Sequence, residues 1–156
     1  MKINKSLEQA VYVIIILALQ KDKQPVKSHI ISEILKVSDS YLKKILMKLS
    51  KAKLVKSNAS KNGGYQLNKS VEEITLKDVF FALQLNEEVI EFKHLSHRVF
   101  EDEKHVKEGE EKILNVLKNG LNSFYKEMET LKISDLLYKE AYLNGAINWE
   151  SKIIKK

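Results

Sequence analysis

The side chains on which chemistry could rest are histidines and lysines, because cysteine is absent from all 156 residues. Without thiols, disulfides, thiolate zinc sites, cysteine nucleophiles and cysteine-held iron–sulfur clusters are excluded. Three histidines, His94, His97 and His105, fall near an acidic knot, Glu101-Asp102-Glu103. A His-x-x-His pair on a helix lies on roughly one face and can share an ion, with the knot or Glu8 as further ligands. Scattered surface histidines are the commoner case, so no metal ligand and no cofactor are assigned. His29 has no local partner of that kind. No phosphate loop, nucleophile–base pair or glycine-rich cofactor turn occurs, and an enzyme is not expected.

The lysines, by contrast, are concentrated. From Lys36 to Lys61 there are eight lysines and a single acid, Asp39. Residues 1–85 carry 15 lysines against seven acids, while residues 86–156 carry 12 basic against 14 acidic side chains, for a net charge of +6. A basic half of this kind favours a polyanion, whose counterions it releases on binding. Most charge runs are solvated faces. Here the charge coincides with a structural unit.

That unit spans Val37 to Leu67. Ser38 or Asp39 can cap a helix, its side-chain oxygen accepting from a free N–H of the first turn. Leu42, Ile45, Leu46 and Leu49 then share one face at steps of three and four, leaving Ser40, Lys43, Lys44, Met47, Lys48 and Lys51 on the other. After Ala52 the period becomes that of strands. Residues 54–58 and 65–68 flank a polar turn, Lys61-Asn62-Gly63-Gly64, whose glycines suit a hairpin. A basic helix followed at once by a basic hairpin is the layout of a winged helix on DNA.

Helix one is expected from Ser6 to Gln20, with Ser6 and Gln9 as a capping box. Its run from Val11 to Leu19 is apolar nearly all round, so most of its sides are covered, and its second face is a candidate contact for a partner subunit. The run is too short to span a bilayer, which takes about 20 residues, and no cleavage site follows it. A buried helix of a cytoplasmic protein is expected. Pro25 suits the start of a second helix, Val26 to Leu35. The three-residue turn after it makes a helix-turn-helix. Thr75 with Asp78 marks the start of a fourth helix, ending near Leu85. Residues 86–107 carry little pattern. Gly109 opens a long helix in which Leu114, Leu117, Leu121, Phe124, Met128 and Leu131 form an a/d seam. Such a seam packs on its own domain or on a second copy. It is assigned to a dimer, because the preceding domain has apolar faces enough to close. Ser134 caps a short stretch through Leu137, and Trp149 is the one large apolar anchor of a weakly patterned tail.

The order SDSYLKKIL, LVKS, KNGGYQL and EEITLKDV resembles the Rrf family of bacterial winged-helix repressors, the group containing IscR, NsrR and CymR. The likeness covers residues 1 to about 85 closely, and more loosely the long helix ending in TLKISDLL. It implies a homodimer on a near-palindromic operator in double-stranded DNA. It places Ser40, Tyr41, Lys43 and Lys44 at recognition-helix positions and Lys61, Asn62, Gly63 and Gly64 at the wing tip. Ser28, Ser38 and Lys48 complete the expected DNA-contacting set. The family wing usually carries an arginine followed by glycine, where this chain has Ala59-Ser60. Many members hold an iron–sulfur cluster on three cysteines. This chain has none, so it resembles the cluster-free branch, which senses through a partner protein or small molecule.

The expectation is therefore a mainly α protein with a small β-hairpin: a winged helix-turn-helix domain (1–85), a sensor or linker region (86–107), and a dimerisation helix with a C-terminal tail (108–156). Its function would be sequence-specific regulation of transcription, as a repressor, with no membrane partner. A non-specific nucleic-acid-binding module and a protein-interaction adaptor are the alternatives.

Overall fold

α1 (Lys5–Leu19) is the centre of the molecule, and the sequence says why: Ala10, Val13, Ile14, Ile16, Leu17 and Ala18 leave almost no polar side to turn outward. The computed structural model describes residues 5–60, 62–83 and 93–154. Because α1 already includes Lys5, Ser6 lies inside the helix and not at its cap.

α2 (Ser28–Leu35) and α3 (Asp39–Lys51) pack on α1 and on each other. Between them Lys36 adopts a left-handed conformation, φ 52°, and its N–H caps the end of α2. Ser38 is the N-cap of α3, its hydroxyl accepting from the Tyr41 N–H at 3.3 Å. α2 starts two residues later than expected, because Val26 does other work. It exchanges two backbone hydrogen bonds with Tyr65, both 2.8 Å.

Those bonds tie Val26, as a single antiparallel bridge, to a hairpin of β1 (Val55–Asn58) and β2 (Gly64–Leu67), paired antiparallel with Val55 opposite Leu67 and Asn58 opposite Gly64. The close approach explains one glycine. A Cβ on Gly64 would lie 2.6 Å from the Val26 carbonyl, inside any tolerable contact.

α4 (Leu76–Ala82) begins with the expected capping box: the Thr75 hydroxyl accepts from the Asp78 N–H at 3.1 Å and the Asp78 carboxylate accepts from the Thr75 N–H at 2.9 Å. α5 (Glu103–Thr130) is the longest element. It starts at Glu103, six residues before Gly109, because Asp102 caps it by accepting from Lys104 N–H and His105 N–H.

The a/d seam divides. Phe124 packs edge-on against Phe80 of α4 with ring centroids 5.8 Å apart, Tyr125 meets Phe81 at 5.0 Å, and Met128 is buried. Leu131 lies beyond the last helical residue, and its carbonyl accepts from Leu76 N–H at 2.9 Å. Phe124 thus meets this chain's own α4 and Met128 lies in its core, while Phe124 and Leu131 stay half-buried. Toward the other end of α5, Ile113, Val116 and Leu117 are exposed, and Leu114 and Leu121 half-buried.

After α5 the chain turns back onto the first half. A 3-10 turn, Ile133–Leu136, has Lys132 and not Ser134 at its N-cap position, and Ile133 N–H donates to the Ile74 carbonyl at 2.8 Å. α6 (Lys139–Leu143) and α7 (Trp149–Ile154) follow. Lys23 donates to the Ala18 carbonyl at 2.7 Å and to the Tyr142 carbonyl, and Tyr142 donates to Glu72 at 2.9 Å. The Trp149 indole N–H donates to the Ile16 carbonyl at 2.8 Å. This chain's own tail therefore covers part of α1, while Tyr12 on that helix stays exposed. Among the described residues no helix is long and apolar enough to cross a membrane.

Candidate nucleic-acid interface

α3 presents two unlike faces, as its spacing requires. Leu42, Leu46 and Leu49 are fully buried and Ile45 nearly so, whereas Ser40, Tyr41, Lys43, Lys44, Met47 and Lys51 are exposed. Burial of four aliphatic side chains, each worth about 1.5–3 kcal/mol, fixes the rotation of the helix about its axis. The lysines then have one direction left to point.

The cationic side chains are not equivalent. Lys44 and Lys51 make no ion pair among the described residues. Lys43 lies 2.7 Å from the Asp39 carboxylate one turn back. That hydrogen bond, then one from Ser28, holds the Asp39 carboxyl below its usual range, and the same bond to Asp39 raises the Lys43 ammonium. Ser28, half-buried at the start of α2, thus faces the start of α3. The role of Asp39 was not legible in the sequence, although an acid four residues before a lysine is the signal that could have shown it.

Lys48 departs from expectation. Half-buried, it turns away from the lysine face and donates to the Leu83 carbonyl at the end of α4, at 2.8 Å. It is a tie between two helices, because α4 ends beside it with a free carbonyl that needs a donor.

At the wing tip Asn58 accepts from the Ser60 N–H at 3.1 Å, and Gly63 N–H donates to the Ser60 carbonyl at 2.7 Å. A Cβ on Gly63 would sit 1.9 Å from the Asn58 carbonyl, so the turn requires glycine there. Asn62 is exposed, and Lys61 lies outside the described residues.

The histidines do not converge. His94 Nδ1 is 2.7 Å from Glu110, whose other oxygen accepts from the Ser96 hydroxyl at 2.6 Å. The Ser96 hydroxyl first, and His94 next, hold the buried Glu110 carboxyl below its ordinary value. His105 instead packs edge-on against Phe100, centroids 5.0 Å apart. Among the described residues no group of three or more His, Asp or Glu side chains gathers as a metal would need. The pair and the serine pin the segment before α5 to that helix.

A helix-turn-helix with a lysine face on its second helix, continued by a hairpin bridged to Val26 before α2, defines a winged helix-turn-helix, a DNA-binding fold. The chain belongs to the Rrf2 family, described as an iron-dependent transcriptional regulator, whose pattern matches residues 3–139. Its family is one of transcriptional regulators and not of enzymes. It is 43% identical over 84 residues to the putative HTH-type transcriptional regulator YffB of Lactococcus lactis, a match covering 54% of each chain. The chain therefore aligns with about half the length of that relative. Over 105 residues it is 38% identical to the putative regulator YwgB of Bacillus subtilis, covering 67% of each. In fold it is similar to CymR, the global cysteine regulator of B. subtilis, at a TM-score of 0.61 and 23% identity over 87% of this chain and 95% of that one. The family description speaks of iron, but 156 residues without cysteine do not supply the donors of a thiolate-held cluster.

Proposed function

We propose that this chain is a homodimeric, sequence-specific repressor of transcription that responds to its signal without an iron–sulfur cluster. The observation that carries the reading is the orientation of α3: its aliphatic face is fully committed to the core, so Ser40, Tyr41, Lys43 and Lys44 are what it offers to a major groove. On this reading those four side chains contact base edges, while Ser28, Ser38, Lys61, Asn62 and Gly63 contact the phosphate backbone and set register. The exposed Ile113, Val116 and Leu117, with Leu114 and Leu121, meet the same surface of a second copy, and a two-fold dimer matches a near-palindromic operator. The setting is the cytoplasm, and the effector is a small molecule or a partner protein.

The test is to recover genomic DNA bound in cells, then compare that duplex with random duplex across a salt series. Specific binding predicts a difference of about 10³-fold or more. Equal affinity for both duplexes would make the chain a non-specific binder, and no salt-dependent affinity at all would leave it a protein adaptor. Sedimentation of the free protein tests the dimer.

A further inference from the structure

The recognition helix carries one exposed residue that its charge does not explain. Met47 is 64% exposed, more than any other large apolar side chain described in residues 5–83. It lies seven residues after Ser40 and three after Lys44. At roughly 3.6 residues per turn it shares their line along the helix, directly across from the buried Leu49. Lys43, Lys44 and Lys51 surround it. Scattered apolar surface residues need no explanation, but this one stands in the middle of a cationic strip. A solvated lysine face would gain nothing from a thioether there.

Resting on the reading of α3 as the helix that enters the major groove, we infer that Met47 is a specificity-determining residue that packs against the C5-methyl of a thymine in each half-site. The groove edge of an A·T pair offers one apolar group, that methyl, and apolar side chains read it by contact. Methionine is unbranched and polarisable, so it can follow a methyl whose position varies slightly between sites. Its flanking lysines neutralise phosphates and bring the apolar tip down to the bases. Serine and lysine at the neighbouring positions read hydrogen-bonding edges. Met47 supplies what they cannot, a preference for thymine over cytosine that is independent of any hydrogen bond.

The experiment selects duplexes from a random pool with the full chain, then resynthesises the selected site with deoxyuridine replacing one thymine at a time. Only the methyl is removed. The parent protein should lose about fourfold in affinity per half-site at one thymine, the worth of one buried methyl group. Met47→Ala should lose a similar factor on the unmodified duplex and nothing further on the deoxyuridine duplex. Met47→Leu should restore sensitivity to the methyl. Indifference of the parent to every deoxyuridine, or a Met47→Ala variant that stays sensitive, overturns the inference. If Lys44→Ala changes the selected sequence while deoxyuridine does nothing, α3 remains the reader and only the Met47 assignment falls. If the pool yields no preferred sequence, the reading of α3 falls first and this assignment with it.

Discussion

Trp149→Ala should destabilise the whole molecule, although residue 149 lies in a stretch with little sequence pattern. The indole is buried at 8% exposure, belongs to the same core as α1 and α3, and donates to the Ile16 carbonyl at 2.8 Å. Removing a buried tryptophan to alanine costs about 3–5 kcal/mol, the lost transfer energy plus the cavity left behind. Total stabilities are about 5–15 kcal/mol, so roughly a fifth or more of the folding free energy is at stake. With about 2–4 °C per kcal/mol for a chain of this size, the melting temperature should fall by roughly 6–20 °C. Trp149→Phe keeps most of the apolar contact and loses the hydrogen bond, at about 1 kcal/mol. Thermal unfolding followed by circular dichroism measures both variants. Because the chain has a single tryptophan, the fluorescence of the parent reports the tail directly and should melt with the circular dichroism signal. If Trp149→Ala melts within 2 °C of the parent, or the fluorescence transition comes well before the other, the tail is not part of the core.

Val116→Asp should leave the fold intact and give a monomer by sedimentation at concentrations where the parent is dimeric, because Val116 is 71% exposed. Met128→Asp should instead unfold the domain, since it places a charge in the buried core; an unfolded Val116→Asp would move the exposed face of α5 into the core. Gly64→Ala should cost about 1–3 kcal/mol in denaturant unfolding, because the new Cβ meets the Val26 carbonyl at 2.6 Å and separates the wing from its bridge to Val26. Asp39→Asn should release Lys43 and raise affinity for random duplex, where no base edge is matched and the freed ammonium is left to phosphate, steepening the log–log salt slope by up to about 0.9 per protomer; an unchanged slope would mean that the pair with Asp39 does not restrain Lys43 on DNA. The Asp39 carboxyl is held below its ordinary value, so its pair with Lys43 is intact above that value and is lost only as pH falls through the lowered one. Random-duplex affinity of the parent should accordingly show no step from this pair between pH 5 and pH 8 (about the usual working range).

What could be read from the sequence was local. Leu42, Ile45, Leu46 and Leu49 recur with the period of one turn, so α3 and its exposed face follow without tertiary knowledge. Thr75 and Asp78 announce α4 because both partners of the capping box lie within four residues. What could not be read depends on distant partners. Val26 pairs with Tyr65 through backbone groups that every residue type carries, so nothing in Pro25-Val26 marks a bridge. Lys48 looks like its neighbours Lys43 and Lys44 until the end of α4 is placed beside it. A heptad pattern shows that Phe124 is covered but not by what, and within this chain it meets Phe80. α6 and α7 have five and six residues, too few to display a period. The acidic knot was weighed as a ligand set, whereas Asp102 is a helix cap.

The bond from Trp149 to Ile16 joins residues 133 apart, and this sets an order of events during synthesis. At about 5–20 residues per second, the indole is made roughly 7–27 s after the backbone that receives it. Through that interval α2, α3 and the wing can all be present, yet one side of Ile16 and Leu17 has nothing to cover it. An apolar helix left open for seconds is a surface for aggregation or for a chaperone. A truncated chain carrying the entire helix–hairpin unit is therefore an unfinished core, and its appetite for other hydrophobic surfaces would be mistaken in a pull-down for a partner.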